Sequence, residues 1–226
     1  MLVVGFDTAT PAVSVALHDG ERVVAEAFAV DARRHGELLT PMIADVLADA
    51  GASRRDLTAV AVGVGPGPYT GLRVGLVTAR VLAAVLGLPV YGVCTLDILA
   101  GAVPPGRPFG VATDARRKEV YWAAYDETGR RTDGPLVASA SSIPGAAGLP
   151  VAGAGAALYP EAFGPAIGPT YPEARTLCAL VARQLSPGSD GTGNDGQWPP
   201  LLAPEPLYLR RPDATLPGPP KRVTPS

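Results

Sequence analysis

Four groups of residues in this sequence have the types and spacing that chemistry uses. The first is Asp7-Thr8-Ala9-Thr10, a carboxylate and two hydroxyls directly after the apolar run 2–6. Such a loop orients a hydrated magnesium ion and the phosphate oxygens of a nucleotide. The second is Asp114-Ala-Arg-Arg-Lys118, which follows another apolar run and is expected to face the first loop across a cleft. Gly153 and Gly155 would let a backbone lie flat against an adenine. Asp7, Thr8, Asp114, Gly153 and Gly155 are therefore the candidate nucleotide-binding residues, with ordinary turn chemistry as the competing explanation.

The third group is Gly65-Pro-Gly-Pro-Tyr-Thr-Gly71. A Walker loop would continue into Gly-Lys-Thr or Gly-Lys-Ser, whereas Gly71 is followed by Leu72 and Arg73. A dinucleotide fingerprint needs a glycine where Pro68 stands, and the two prolines remove amides that a phosphate cradle would use. The fourth group is the histidines and cysteines. His18 and His35 stand alone, with no HExxH and no pair at helical spacing, so a zinc hydrolase lacks its ligands. Cys94 lies in an apolar strand-like context, Gly92-Val-Cys-Thr95, where thiols are inert, and no GxSxG elbow supports a serine triad. No convincing catalytic set emerges.

The elements that position these groups follow from periodicity and punctuation. Residues 2–6, 12–17 and 21–30 read as a three-stranded meander, turned at His18-Asp-Gly20. A helix follows between residues 34 and 50, with Leu38, Leu39, Met42, Ile43, Val46 and Leu47 on one stripe, Pro41 near its first turn and Gly51 closing it. The stretch 57–88 organises the chain: a buried strand at 59–64, the glycine-proline turn, then a helix capped by Thr70 and stopped by Gly87. Between Gly71 and Leu86 the polar side chains are Arg73, Thr78 and Arg80, so nearly all other directions around this helix are apolar or small. One sheet covers one side of a helix. Leaving three of its valines wet would forgo about 1.5 kcal/mol each, so the helix is either deep core or half of a protein–protein interface. It is short and interrupted for a bilayer span. Gly71 and Gly75 offer a flat spot for close helix approach. Further strands are expected at 90–93, 109–113, 120–125 and 149–152, and helices at 95–100 and 172–184.

The 226 residues suffice for one large or two small domains, and 47% hydrophobic content supports a sizeable core. The expected division is an N-terminal lobe at 1–103, a Pro/Gly linker at 104–108, a C-terminal lobe at 109–211 and a disordered tail from 212 to 226, with a mobile loop at 187–200. Net charge is −2, which argues against a freestanding nucleic-acid binder. The doublets Arg33-Arg34, Arg54-Arg55 and Arg116-Arg117 read as solvated surface. Two cysteines without metal spacing, and a start lacking signal-peptide features, point to the cytoplasm.

Taken together, Asp7-Thr-Ala-Thr10, His35, Gly65-Pro-Gly-Pro-Tyr-Thr-Gly-Leu-Arg73, Asp114-Ala-Arg-Arg117 with Glu119-Val-Tyr121, and Pro206-Leu-Tyr-Leu-Arg210 resemble the TsaB (YeaZ) family over most of residues 1–210. The resemblance implies an α/β chain with the two-lobe actin-like ATPase fold (ASKHA, ribonuclease H-like), mixed sheets flanked by helices. It implies a non-catalytic subunit of the complex that transfers threonylcarbamoyl to the adenosine next to the anticodon in tRNAs reading codons that begin with A. The implied partners are the catalytic subunit TsaD, an ATPase, TsaE, and tRNA through the complex, with a homodimer when the chain is alone and no membrane. No cofactor is required, and ATP or ADP with magnesium is implied only at the complex interface. The family docks through its two N-lobe helices, which carries the interface onto His35, Leu38, Leu39, Met42, Ile43, Val46, Thr70, Gly71, Arg73, Val74, Val77, Thr78 and Val81. Here His35 is followed four residues later by Leu39 rather than the second histidine of TsaD's metal site, and Ala115-Arg116 replaces the glycine expected after the second-lobe aspartate. The competing readings are an active ATPase or phosphotransferase of the same fold, using Asp7 and Asp114, and a glycoprotease-like peptidase.

Overall fold

The computed structural model describes residues 1–186 and 199–210. Its first sheet is built from β1 (Val3–Asp7), β2 (Ala12–His18), β3 (Val23–Val30), β4 (Ala59–Gly63) and β5 (Val90–Val93), in the order β3-β2-β1-β4-β5. The first three strands form an antiparallel meander, and β4 and β5 add in parallel. Helices α1 (His35–Asp49) and α2 (Tyr69–Leu86) cover one face, and α5 (Ala174–Leu185) covers the other. Both faces being covered explains why β1, β2 and β4 are buried throughout rather than alternating. The alternation survives as size: Val4, Phe6, Val13, Val15 and Leu17 face α1 and α2, while Ala16, Ala59 and Ala61 face α5.

The second sheet has the order β8-β7-β6-β9, from β6 (Phe109–Asp114), β7 (Glu119–Tyr125), β8 (Arg131–Ser139) and β9 (Val151–Ala152). It too is mixed, with β9 parallel to β6. Short helix α4 (Ala154–Leu158) packs on one face, and α3 (Thr95–Ala100) fills the space between the two sheets. Strand β8 carries no strand signal in sequence because Asp133-Gly134-Pro135 interrupts it. Gly134 tolerates φ 85° where a Cβ would press on the Trp122 carbonyl, and the β7–β8 register slips there.

Several expectations shift. The second half is not self-contained: α5 returns to the first sheet, where the Ala174 amide donates to Ser14 Oγ on β2 at 2.8 Å. Residues 199–210 follow it, with the Leu202 amide bonded to the Gly92 carbonyl and the Leu207 amide to the Val64 carbonyl. Helix α2 begins at Tyr69, so Thr70 is a helical residue and not its cap; the capping position falls on Pro68. Pro41 stands inside α1 beyond its first turn, on the exposed side. Gly87 ends α2 with φ 69°, as a left-handed stop requires. The proposed loop at 187–200 lies outside the described residues up to 198, as does the proposed tail.

Helix α3 is tied to the second sheet through a buried charge. Asp97 on α3 is 4% exposed and accepts from the Tyr125 hydroxyl at 2.8 Å and from Arg131 Nη1 at 3.2 Å. Burial raises its carboxyl pKa, while the Arg131 guanidinium and the Tyr125 hydroxyl oppose that. Removing the cation leaves a buried carboxylate with one neutral partner. Arg131→Ala is therefore expected to lower stability by about 3 kcal/mol, read from the urea midpoint at neutral pH.

Candidate functional site

The loop Asp7–Thr10 is an almost wholly buried knot of polar groups. Asp7 is 0% exposed and Thr8 2%. One Asp7 carboxylate oxygen accepts from the Ala9 amide at 2.8 Å, and the other accepts from the Thr95 hydroxyl at 2.7 Å. Thr95 Oγ1 in turn accepts from the Gly65 amide. The Thr8 hydroxyl donates to the Gly71 carbonyl at 2.7 Å and accepts from the Gly75 amide at 3.1 Å, the two groups that pair across the first turn of a regular helix. His35 Nε2 lies 2.7 Å from the Thr10 carbonyl, tying the start of α1 to the same loop.

This clasp explains the glycines. Gly63, Gly67, Gly71 and Gly75 recur every four residues, and a Cβ at each would collide with Asp7, Ala9, Thr8 and Thr8 respectively. The flat spot on α2 therefore receives the loop rather than another helix. Asp7 and Thr8 are consumed by the clasp and have no face left for a metal ion or phosphate. Gly153 and Gly155 have a packing role: a Cβ on either would strike Ala112 on β6, so they seat α4 against that strand. Asp114 does line a cleft cavity of about 260 Å³, with Thr10, Pro11, Thr113, Ala154 and Tyr171 among its walls. Its carboxylate, however, is turned back to the Arg116 amide at 2.7 Å and to the Arg116 guanidinium at 3.2 Å. The predicted pair of aspartates facing each other across the cleft does not form, and the residues present do not fit a magnesium–nucleotide. The histidines and cysteines are also spent or inert. His18 Nδ1 accepts from the Gly20 amide in its hairpin, and burial pushes the Cys94 thiol up to about 12. Burial alone raises the Cys178 thiol too.

The expected interface residues divide sharply. His35, Leu39, Met42, Ile43, Val46 and Gly71 are buried within this chain, so the apolar stripe of α1 seals its own core and presents no partner surface. Leu38, Val74 and Thr78 are half-buried, and Thr70 and Arg73 are exposed. Helix α2 has two faces. Leu72, Leu76, Ala79 and Ala83 enter the core, while Val77, Val81 and Val85 are 59%, 57% and 76% exposed at a spacing of four. By length and composition α2 is apolar enough to cross a bilayer, yet it is packed on β4 and α1 through that inner face.

At its N-terminal end α2 meets a cluster that sequence reasoning missed. The Tyr69 hydroxyl donates to the Arg210 carbonyl, and Arg73 Nε donates to the Tyr208 hydroxyl at 2.8 Å. Arg210 reaches the second sheet, donating to the Ala115 carbonyl at 3.1 Å and pairing with Glu119. The segment 199–210 thus runs from the β5 edge across the start of α2 to the β6–β7 hairpin. The sequence signal was the aromatic and basic spacing in Pro206-Leu-Tyr-Leu-Arg210, which has no meaning until its target is known.

The chain is similar to known proteins along most of its length. A family model described as TsaD, tRNA N6-adenosine threonylcarbamoyltransferase, matches residues 23–162, more than half of the chain. An uncharacterized protein of Mycobacterium tuberculosis is 45% identical over 221 residues, covering 94% of this chain and 93% of that protein. The tRNA threonylcarbamoyladenosine biosynthesis protein TsaB of Escherichia coli is 43% identical over 134 residues, which is 57% of this chain and 58% of that protein. Among solved structures, YeaZ from Pseudomonas aeruginosa superposes with a TM-score of 0.75 at 30% identity, covering 92% of this chain and 99% of that one.

The clasp sets a pH dependence. Burial outweighs the hydrogen bonds from Thr95 and the Ala9 amide and raises Asp7 from 3.8 to about 6. The folded state therefore holds a proton that the unfolded chain releases between about pH 4 and pH 6, and stability falls as pH rises through that window. The difference corresponds to about 3 kcal/mol. Urea unfolding from pH 7 to pH 4 should show the wild type gaining roughly that amount relative to Asp7→Asn, which cannot titrate.

Proposed function

The chain belongs to the TsaB (YeaZ) branch of the TsaD family, and on that premise we propose that it is the non-catalytic subunit of a tRNA threonylcarbamoyladenosine-forming complex. In this reading the exposed face of α2 docks onto a TsaD-type catalytic subunit and holds it in its competent geometry. The observation that carries the reading is the row Val77, Val81 and Val85, three large apolar side chains left in water on one helix face. Their burial against a partner would contribute about 1.5 kcal/mol each, and single exposed hydrophobics need no such explanation while a row does.

The clasp favours a scaffold over an enzyme. An ATPase of this fold needs a carboxylate at the end of β1 that faces the cleft, and Asp7 instead faces Thr95. A nucleotide, where one takes part, belongs at the junction with the partner and not against Asp7. The same exposed face serves a homodimer when the catalytic subunit is absent, and TsaE and tRNA join through the assembled complex in the cytoplasm.

Val77→Glu places a charge at the N-terminal end of the row without touching the core. Co-purification with the TsaD-type subunit of the same organism is expected to be lost, and the melting temperature of the isolated chain to stay within about 2 °C of wild type. Full-strength binding by the variant rules out this docking face.

A further inference from the structure

The hairpin tip between β6 and β7 is used neither by the clasp nor by the valine row. Arg116, Arg117 and Lys118 are exposed there, and all three adopt left-handed backbone, with φ of 62°, 54° and 63°. Glycine or asparagine would sit in such a turn with less strain. The hairpin instead spends those positions on three consecutive cations, held in place by the Ala115–Glu119 backbone bond and the β6–β7 register. Strained backbone at three consecutive charged residues is the kind of outlier from which a role for their side chains is inferred.

The tip is continuous with the cluster at the start of α2. Arg210 bonds the Ala115 carbonyl, Tyr69 bonds Arg210, and the Arg73 guanidinium lies 5.6 Å from the Tyr69 ring centroid and 5.8 Å from that of Tyr208. Among the described residues, five cations thus gather on one surface of a chain whose net charge is −2. Among the described residues, the acidic groups Asp114 and Glu119 are bonded to Arg116 and Arg210. The positive end of the α2 dipole adds to the field. Cations interleaved with tyrosine rings are the chemistry that holds a phosphate backbone and stacks on bases.

We propose that this surface is the chain's own contact with the phosphate backbone of the tRNA substrate, an inference that rests on the tRNA-modification reading above. The patch occupies the N-terminal end of α2 and the valine row its middle and C-terminal turns, so RNA and catalytic subunit meet adjacent surfaces of one helix. This revises the reading of Arg116-Arg117 as idle solvated surface.

The test uses the full chain assembled with its TsaD-type partner, and an unmodified transcript of a tRNA reading codons that begin with A. The triple variant R116N/R117N/K118N removes the charges with residues that tolerate left-handed backbone. At about 150 mM salt its affinity should fall at least roughly tenfold, and the slope of log K against log salt should become shallower by about 2–3. The charge-preserving R116K/R117K should bind within about threefold of wild type. Unchanged affinity and slope in the triple variant overturn the proposal. So does loss of protein assembly with RNA binding intact, which would assign the patch to an acidic protein surface. A wild-type assembly that neither binds nor modifies the transcript overturns the tRNA reading itself. One that modifies it, with the triple variant binding equally tightly, overturns this inference alone.

Discussion

A buried polar loop must find partners for the groups it carries, and Asp7–Thr10 finds them through three separate elements. Thr95 on α3 serves the carboxylate, the first turn of α2 serves the Thr8 hydroxyl, and His35 at the start of α1 reaches the Thr10 carbonyl. An unpaired buried polar group costs about 1–3 kcal/mol, so displacing any one of these elements leaves the others with unmet bonds. The relative placement of three helices around the end of β1 follows from that constraint. It also requires the four glycines that let β4, its turn and α2 lie directly on the loop.

The clasp decides the chemistry. In a cleft built for phosphoryl transfer, the loop after the first strand faces solvent and a metal ion. Here Asp7 and Thr8 face protein while Thr10 lines the cleft, and the second aspartate, Asp114, is turned into its own hairpin by Arg116. The fold is further fastened by the buried Asp97–Arg131–Tyr125 cluster and by the segment 199–210, which bonds to both sheets. What the chain offers outward lies on its surface, in a helix with one face in the core and one in water.

That division of α2 is a matter of register. Leu72, Leu76, Ala79 and Ala83 fall toward β4 because Gly71 and Gly75 are pinned to Thr8, which fixes the rotation of the helix about its axis. Val77, Val81 and Val85 then have no route to the core. The same pinning sets Tyr69 and Arg73 against Tyr208 and Arg210, so the row and the cationic cluster are two outcomes of one contact.

Much of this was legible in the residues alone. The meander, the strands that become β4 and β5, the stop at Gly87 and the excess of apolar residues on α2 all follow from local periodicity and punctuation, while the parallel pairing of β4 and β5 does not. These are short-range signals, and short-range physics reads them. The family resemblance rested on strings such as Gly65-Pro-Gly-Pro-Tyr-Thr-Gly-Leu-Arg73, whose relatives include YeaZ at 30% identity. What only the tertiary structure decided was which side of each feature faces inward. The stripe of α1 was as apolar as that of α2, yet it seals the core, and Asp7 had the type and position of a metal ligand, yet it bonds a threonine 88 positions away. Strand β8, the return of α5 to the first sheet and the target of Arg210 depend equally on contacts between distant segments. Burial and hydrogen-bond partnership belong to pairs of residues far apart in the chain, and no spacing within one segment encodes them.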